Sequence, residues 1–144
     1  MSDPKVILIV DDDADFRHAV AHLCESCGHR VWEAANGRQG FDLAKTVRPD
    51  LIVLDIMMTE RTEGFFTLSR IRSDPALRDT PVIVVSSLYH DHPEFRVSPE
   101  AGWLPANLFL AKPVDPARLI EESARLMTAA APAAGQDPVG SRGR

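Results

Sequence analysis

The sequence predicts an α/β domain built on a doubly wound, five-stranded parallel sheet. Three observations carry that expectation. Four short runs are apolar, the first after its opening lysine: Lys5–Val10 (KVILIV), Leu51–Leu54 (LIVL), Val82–Val85 (VIVV) and Leu108–Ala111 (LFLA). Runs without alternation suit strands covered on both faces. Segments of helical spacing lie between most of them, and strand–helix alternation is the pattern of a parallel sheet.

The elements follow in order. Lys5–Val10 is bounded by Pro4 and by three aspartates. Phe16, Val20, Leu23, Cys24 and Cys27 recur at helical spacing, and Gly28 stops that helix. Arg30–Ala34 (RVWEA) is a less apolar strand, hence an edge. Gly40–Val47 reads as a short second helix, and Phe65, Leu68 and Ile71 mark a third. Pro49-Asp50 and Pro81 precede the two strands that end at Asp55 and Ser86. Asp115-Pro116 is a cap followed by a first-turn proline, opening a last helix through about Met127.

One connection breaks the pattern. Residues 88–107 carry Pro93, Pro99 and Pro105, spacings that forbid one long helix. The fourth helix is therefore expected to be shortened or replaced by irregular loop. Residues 129–144 are rich in Ala, Pro and Gly and lack an apolar stripe. A domain over 1–128 with a disordered C-terminal tail over 129–144 is the expectation.

Bulk properties limit the function. The chain has 144 residues, one domain's worth, and a net charge of −5. Nucleic acid and anionic membrane are poor partners for such a surface. Two cysteines are too few for a disulfide scaffold. The N-terminal apolar run is short and followed by charges, unlike a signal peptide, and no stretch nears a membrane span. A cytoplasmic protein is expected.

In open parallel sheets, sites form at the carboxyl ends of strands. Here those ends carry Asp11-Asp12-Asp13, Asp55, Ser86 and Lys112. Clustered carboxylates repel one another, and a hard cation such as Mg²⁺ relieves that cost through oxygen ligands. The lysine offers a point charge to an anion, and the hydroxyl a hydrogen bond. Such a set can bind a phosphoryl group and make one carboxylate its nucleophile.

The order VDDD, PDLIVLD, PVIVVSS and FLAKPV resembles the receiver domain of bacterial two-component response regulators over residues 5–128. The resemblance implies a flavodoxin-like sheet of strand order 2-1-3-4-5. It implies that Asp55 is the phosphoacceptor. Mg²⁺ would be held by Asp12, Asp55 and the backbone carbonyl of Met57, with Asp11 acting through water or as a direct helper. Ser86 would follow the phosphoryl group, Lys112 would pair with it, and Phe109 would swing inward with Ser86. Lys112-Pro113 is expected to be a cis peptide. A histidine kinase or phosphotransfer protein would be the donor. Without an output domain, the signal would leave by binding a protein target, a relay partner or a dimer mate.

This chain departs from the pattern in places. The loop after Asp55 (IMMTERTEG) is longer by a residue and has Thr59 where a proline is common. The proline-rich 88–107 segment replaces the usual output face. Met57 and Leu88 are apolar where water-guiding side chains would reset the switch, which predicts slow self-dephosphorylation. Met57 also stands where an aspartyl phosphatase carries its acid, which speaks against an enzyme. The rival reading is a phosphorylation-independent interaction module.

Other signals have plainer explanations. Asp13 reads as a helix cap. Cys24-x₂-Cys27 continues the apolar stripe and reads as core, not as a metal or redox pair. His18 and His22 read as a solvated face, and His90, Asp91 and His92 as loop polarity. Tyr89 and Trp103 are expected to anchor their loop, Trp32 to pack along the edge strand, and Phe66 to sit beside the buried stripe.

Overall fold

The computed structural model describes residues 4–56, 63–86 and 106–135. Five strands form one parallel sheet: β1 (Val6–Val10), β2 (Arg30–Ala34), β3 (Leu51–Asp55), β4 (Val82–Ser86) and β5 (Leu108–Ala111). Their order is β2-β1-β3-β4-β5, as expected. The described helices are α1 (Ala14–Ser26), α2 (Gly37–Val47), α3 (Glu63–Ser73) and α4 (Pro116–Gly135).

The continuous apolar runs are explained by two cores. Leu8, Val10, Ile52, Leu54, Val82, Val84 and Phe109 join Ala44, Leu68 and Ile71 on the face carrying α2 and α3. Ile7, Ile9, Leu51, Val53, Ile83, Val85 and Leu110 join Val20, Cys24, Leu119 and Leu126 on the face carrying α1 and α4. Successive strand residues point to opposite faces, so a strand buried on both sides has no polar position to spare. β2 is one of the two edges, and its burial alternates: Trp32 is 43% exposed, so it rides the edge partly in solvent.

Caps fix where the helices enter from the site edge. Asp13 Oδ1 accepts from the amides of Asp15 (3.0 Å) and Phe16 (3.3 Å), which makes it the N-cap of α1. Asp115 Oδ1 accepts from the Ala117 amide at 3.2 Å, capping α4. Gly28 takes φ +91 just past the end of α1, the left-handed conformation that glycine tolerates. Lys112-Pro113 is cis, as the resemblance implies.

Three sequence expectations need correction. α2 begins at Gly37, before Gly40, because Asn36 Oδ1 accepts from the Gln39 amide and Gln39 Oε1 from the Ala35 amide, both at 2.8 Å. That reciprocal arrangement starts a helix without apolar residues. α4 continues to Gly135, past Met127, because an alanine-rich stretch needs no apolar stripe to be helical. Cys24 is buried, but Cys27 is exposed at the end of α1 and is not core.

The expected tail beyond Gly135 lies outside the described residues. So do the expected irregular segment up to Pro105, with Tyr89, His90, Asp91, His92 and Trp103, and the loop bearing Met57 and Thr59. Among the described residues, no helix is long and apolar enough to cross a membrane.

Candidate functional site

Parallel pairing brings the strand ends together. Asp11 directly follows β1, Asp55 is the last residue of β3, and Ser86 is the last of β4, paired with Ala111. Lys112 directly follows β5. Carboxylate oxygens of Asp11, Asp12 and Asp55 all lie within 4.8 Å of one another. Asp11 and Asp55 are buried and Asp12 is exposed, so the cluster opens to solvent on the Asp12 side.

Lys112 reaches into this cluster. Its Nζ donates to Asp11 Oδ2 at 2.7 Å and lies 3.6 Å from Asp55 Oδ2. It also lies 4.3 Å from the centre of the Phe16 ring, a cation–π contact. Burial alone would lower its pKa. The hydrogen bond to Asp11 and the charges of Asp55, Asp11 and Asp13 outweigh that, and the pKa stands above the ordinary lysine value. The ammonium is thus held in its charged form.

Every polar group of Asp11 has a partner. Its amide donates to the Ala34 carbonyl at 3.0 Å, and its Oδ1 accepts from the Asp13 amide at 2.9 Å. Its Oδ2 accepts from Lys112, and its carbonyl accepts from Arg17 Nη1 at 2.7 Å. A fully buried carboxylate demands such accounting. Among the expected ligands, Asp11 is therefore the anchored one and Asp12 the outward one.

Two other residues shape the pocket, and the sequence reading missed both roles. Helical spacing places Phe16 on the apolar stripe of α1, yet its ring also covers Lys112. Gly64, in the first turn of α3, presses against the backbone beyond Asp55. A Cβ there would overlap Ile56 Cα and lie 2.5–2.6 Å from the carbonyl oxygens of Ile56 and Asp55. A glycine directly after a lengthened loop is the signal that could have marked a close approach. Phe109 is 9% exposed and already packed in the core facing α2 and α3. The Met57 carbonyl and the Ser86 side chain lie outside what the structure describes.

The donor set fits a hard divalent cation. Three oxygen-bearing side chains converge, one side is open for water, and a single ammonium cannot balance three carboxylates.

A parallel sheet of this order with an acidic cluster and a lysine at its carboxyl edge defines a class, and comparison bears it out. The chain belongs to the response regulator receiver domain family, whose profile matches residues 7–124. It is 31% identical over 118 residues to the polar-differentiation response regulator DivK of Brucella anthropi, covering 82% of this chain and 92% of DivK. The chemotaxis response regulator CheY4 of Vibrio cholerae superposes with a TM-score of 0.72 at 27% identity, over 86% of this chain and 99% of that one. The receiver domain of sensor histidine kinase PA1611 of Pseudomonas aeruginosa superposes with a TM-score of 0.75 at 24% identity, over 88% and 99%, and that structure holds a magnesium ion in its active-site cleft. The chain spans 10–57% of longer curated relatives, transcriptional regulators among them.

Proposed function

We propose that this receiver domain is a phosphorylation switch in which Asp55 accepts a phosphoryl group. The observation that carries the reading is the buried Asp55 carboxylate within a cluster of three carboxylates and one ammonium. A carboxylate oxygen of Asp55 attacks the phosphorus of a phosphohistidine on a histidine kinase or phosphotransfer protein. The P–N bond breaks, the electron pair leaves on the imidazole nitrogen, which is protonated, and an acyl phosphate remains on Asp55. Mg²⁺, held by Asp12, Asp55 and the Met57 carbonyl with Asp11 as helper, would neutralise the charge gathered there.

Lys112 pairs with the transferred group, and its 3.6 Å separation from Asp55 Oδ2 supports that role. Ser86 and Phe109 then respond to the phosphoryl group and bias a two-state equilibrium. The output is a phosphorylation-dependent binding event with a protein target or a second copy of the chain, in the cytoplasm, carried by a receiver unit over residues 1–128. The protein turns over no substrate beyond its own transfer and hydrolysis.

Phosphoimidazole, a small N-phosphoryl donor, tests the chemistry without a kinase. With Mg²⁺ it should leave one base-labile phosphate per chain, absent in Asp55→Asn and absent with chelator. Incorporation that persists in Asp55→Asn would refute the assignment.

A further inference from the structure

We infer that Arg17 is a positioning residue that sets the cation affinity of the acidic pocket by clamping the Asp11–Asp12 peptide. The inference rests on the reading of the pocket given above and adds a residue to it.

Arg17 lies in α1, beneath the pocket. Its Nη1 donates to the Asp11 carbonyl at 2.7 Å, and its Nε lies 3.2 Å from Glu33 Oε1 on β2. Its side chain is only 15% exposed, unlike a solvated surface charge. Burying a guanidinium is costly unless its donors are matched. The planar fork directs donors to two acceptors, the Asp11 carbonyl just after β1 and Glu33 on β2, in a fixed geometry that a flexible ammonium stem does not impose. His18 Nε2 lies 3.6 Å from the same Glu33 oxygen.

The Asp11 carbonyl carbon is bonded to the Asp12 nitrogen. Holding that carbonyl fixes the plane of the peptide between the two aspartates, and so the direction in which Asp12 leaves the chain. The other polar groups of Asp11 tie it to Ala34, Asp13 and Lys112. Arg17 supplies the remaining tie and roots it on β2 through Glu33. Groups that orient ligands from behind typically change metal affinity about ten- to a hundredfold when removed.

The test is a Mg²⁺ titration of the whole chain by calorimetry, beside the Mg²⁺ dependence of phosphorylation by acetyl phosphate. Arg17→Ala should raise the Mg²⁺ dissociation constant about tenfold or more. The phosphorylation rate should recover to within about threefold at saturating Mg²⁺, since Arg17 does not touch the reacting atoms. Arg17→Lys and Glu33→Gln should fall between wild type and Arg17→Ala, and they serve if Arg17→Ala does not fold. Lys45→Ala removes a distant ion pair to Asp74 and should lower the melting temperature without moving Mg²⁺ affinity. Unchanged Mg²⁺ affinity in the folded Arg17 and Glu33 variants would overturn the inference. So would a rate loss that saturating Mg²⁺ does not restore. Because calorimetry needs no phosphoryl chemistry, a wild type that binds Mg²⁺ but accepts no phosphoryl group would sink the switch reading alone.

Discussion

Lys112 donates to Asp11 at 2.7 Å although 101 positions separate the two residues along the chain. The ammonium serves as a resident counter-charge for a carboxylate that water does not reach. Removing it strands Asp11, and breaking a buried pair from one side costs about 3 kcal/mol. Lys112→Met should therefore lose about that much stability in chelator and less in Mg²⁺, which replaces the missing positive charge. Denaturant unfolding under both conditions checks this; equal losses would contradict it.

The Phe16 ring is the second partner of the same ammonium, at 4.3 Å. Phe16→Leu keeps the apolar wall and removes the π face. A double-mutant cycle of Phe16→Leu with Lys112→Met should give a coupling of about 0.5–1 kcal/mol. Strict additivity would mean the ring only packs.

Gly64 and Gly40 both sit in helices against strands, but they should respond differently to alanine. At Gly64 the added carbon meets the backbone of Asp55 and Ile56, which cannot rotate away. At Gly40 it meets the side chain of Val10. Gly64→Ala should cost about 2–3 kcal/mol and slow phosphorylation; Gly40→Ala should cost less and leave phosphorylation unchanged. Thermal unfolding and phosphorylation rates of the two variants check the order.

Burial first, and then the neighbouring Cys27 and Glu25, push the Cys24 thiol up to about 11. A thiol whose folded pKa is raised stabilises the protein fully below its unfolded pKa near 9.0 and loses that contribution as pH rises towards about 11. Wild type should weaken across that window more than Cys24→Ala does. At neutral pH, a thiol reagent should modify exposed Cys27 at once and Cys24 only after unfolding.

The lifetime of the phosphorylated form is a further consequence of the proposed function. The resemblance assigns to Met57 and Leu88 the positions from which a side chain would guide water to an acyl phosphate, and both are apolar. The purified phosphoprotein should decay over hours, and decay within seconds would contradict this.

The strand order was legible through the family resemblance, and the meeting of Asp11, Asp55 and Lys112 at one edge through topology. Once apolar runs are read as parallel strands, whatever follows each run shares one edge, so Asp11, Asp55 and Lys112 are read together. What escaped depended on side-chain geometry that spacing does not encode. Arg17 looks like any exposed helical arginine until its guanidinium is seen under Asp11. Cys27 fits the stripe by period, but the helix ends there and the residue turns outward. The start of α2 was missed because the Asn36–Gln39 exchange is polar, while helical reading follows apolar residues. The end of α4 was missed for the converse reason, since alanines form helix without an apolar face.

Whether Asp55 takes a phosphoryl group is decided by intact-mass spectrometry. The purified chain would be incubated with Mg²⁺ and acetyl phosphate beside Asp55→Asn. The wild type should gain one phosphoryl group, Asp55→Asn none, and neither should gain any with chelator. No adduct with acetyl phosphate or with phosphorylated kinases would contradict the Asp55 assignment, and would leave a receiver fold that works by phosphorylation-independent binding.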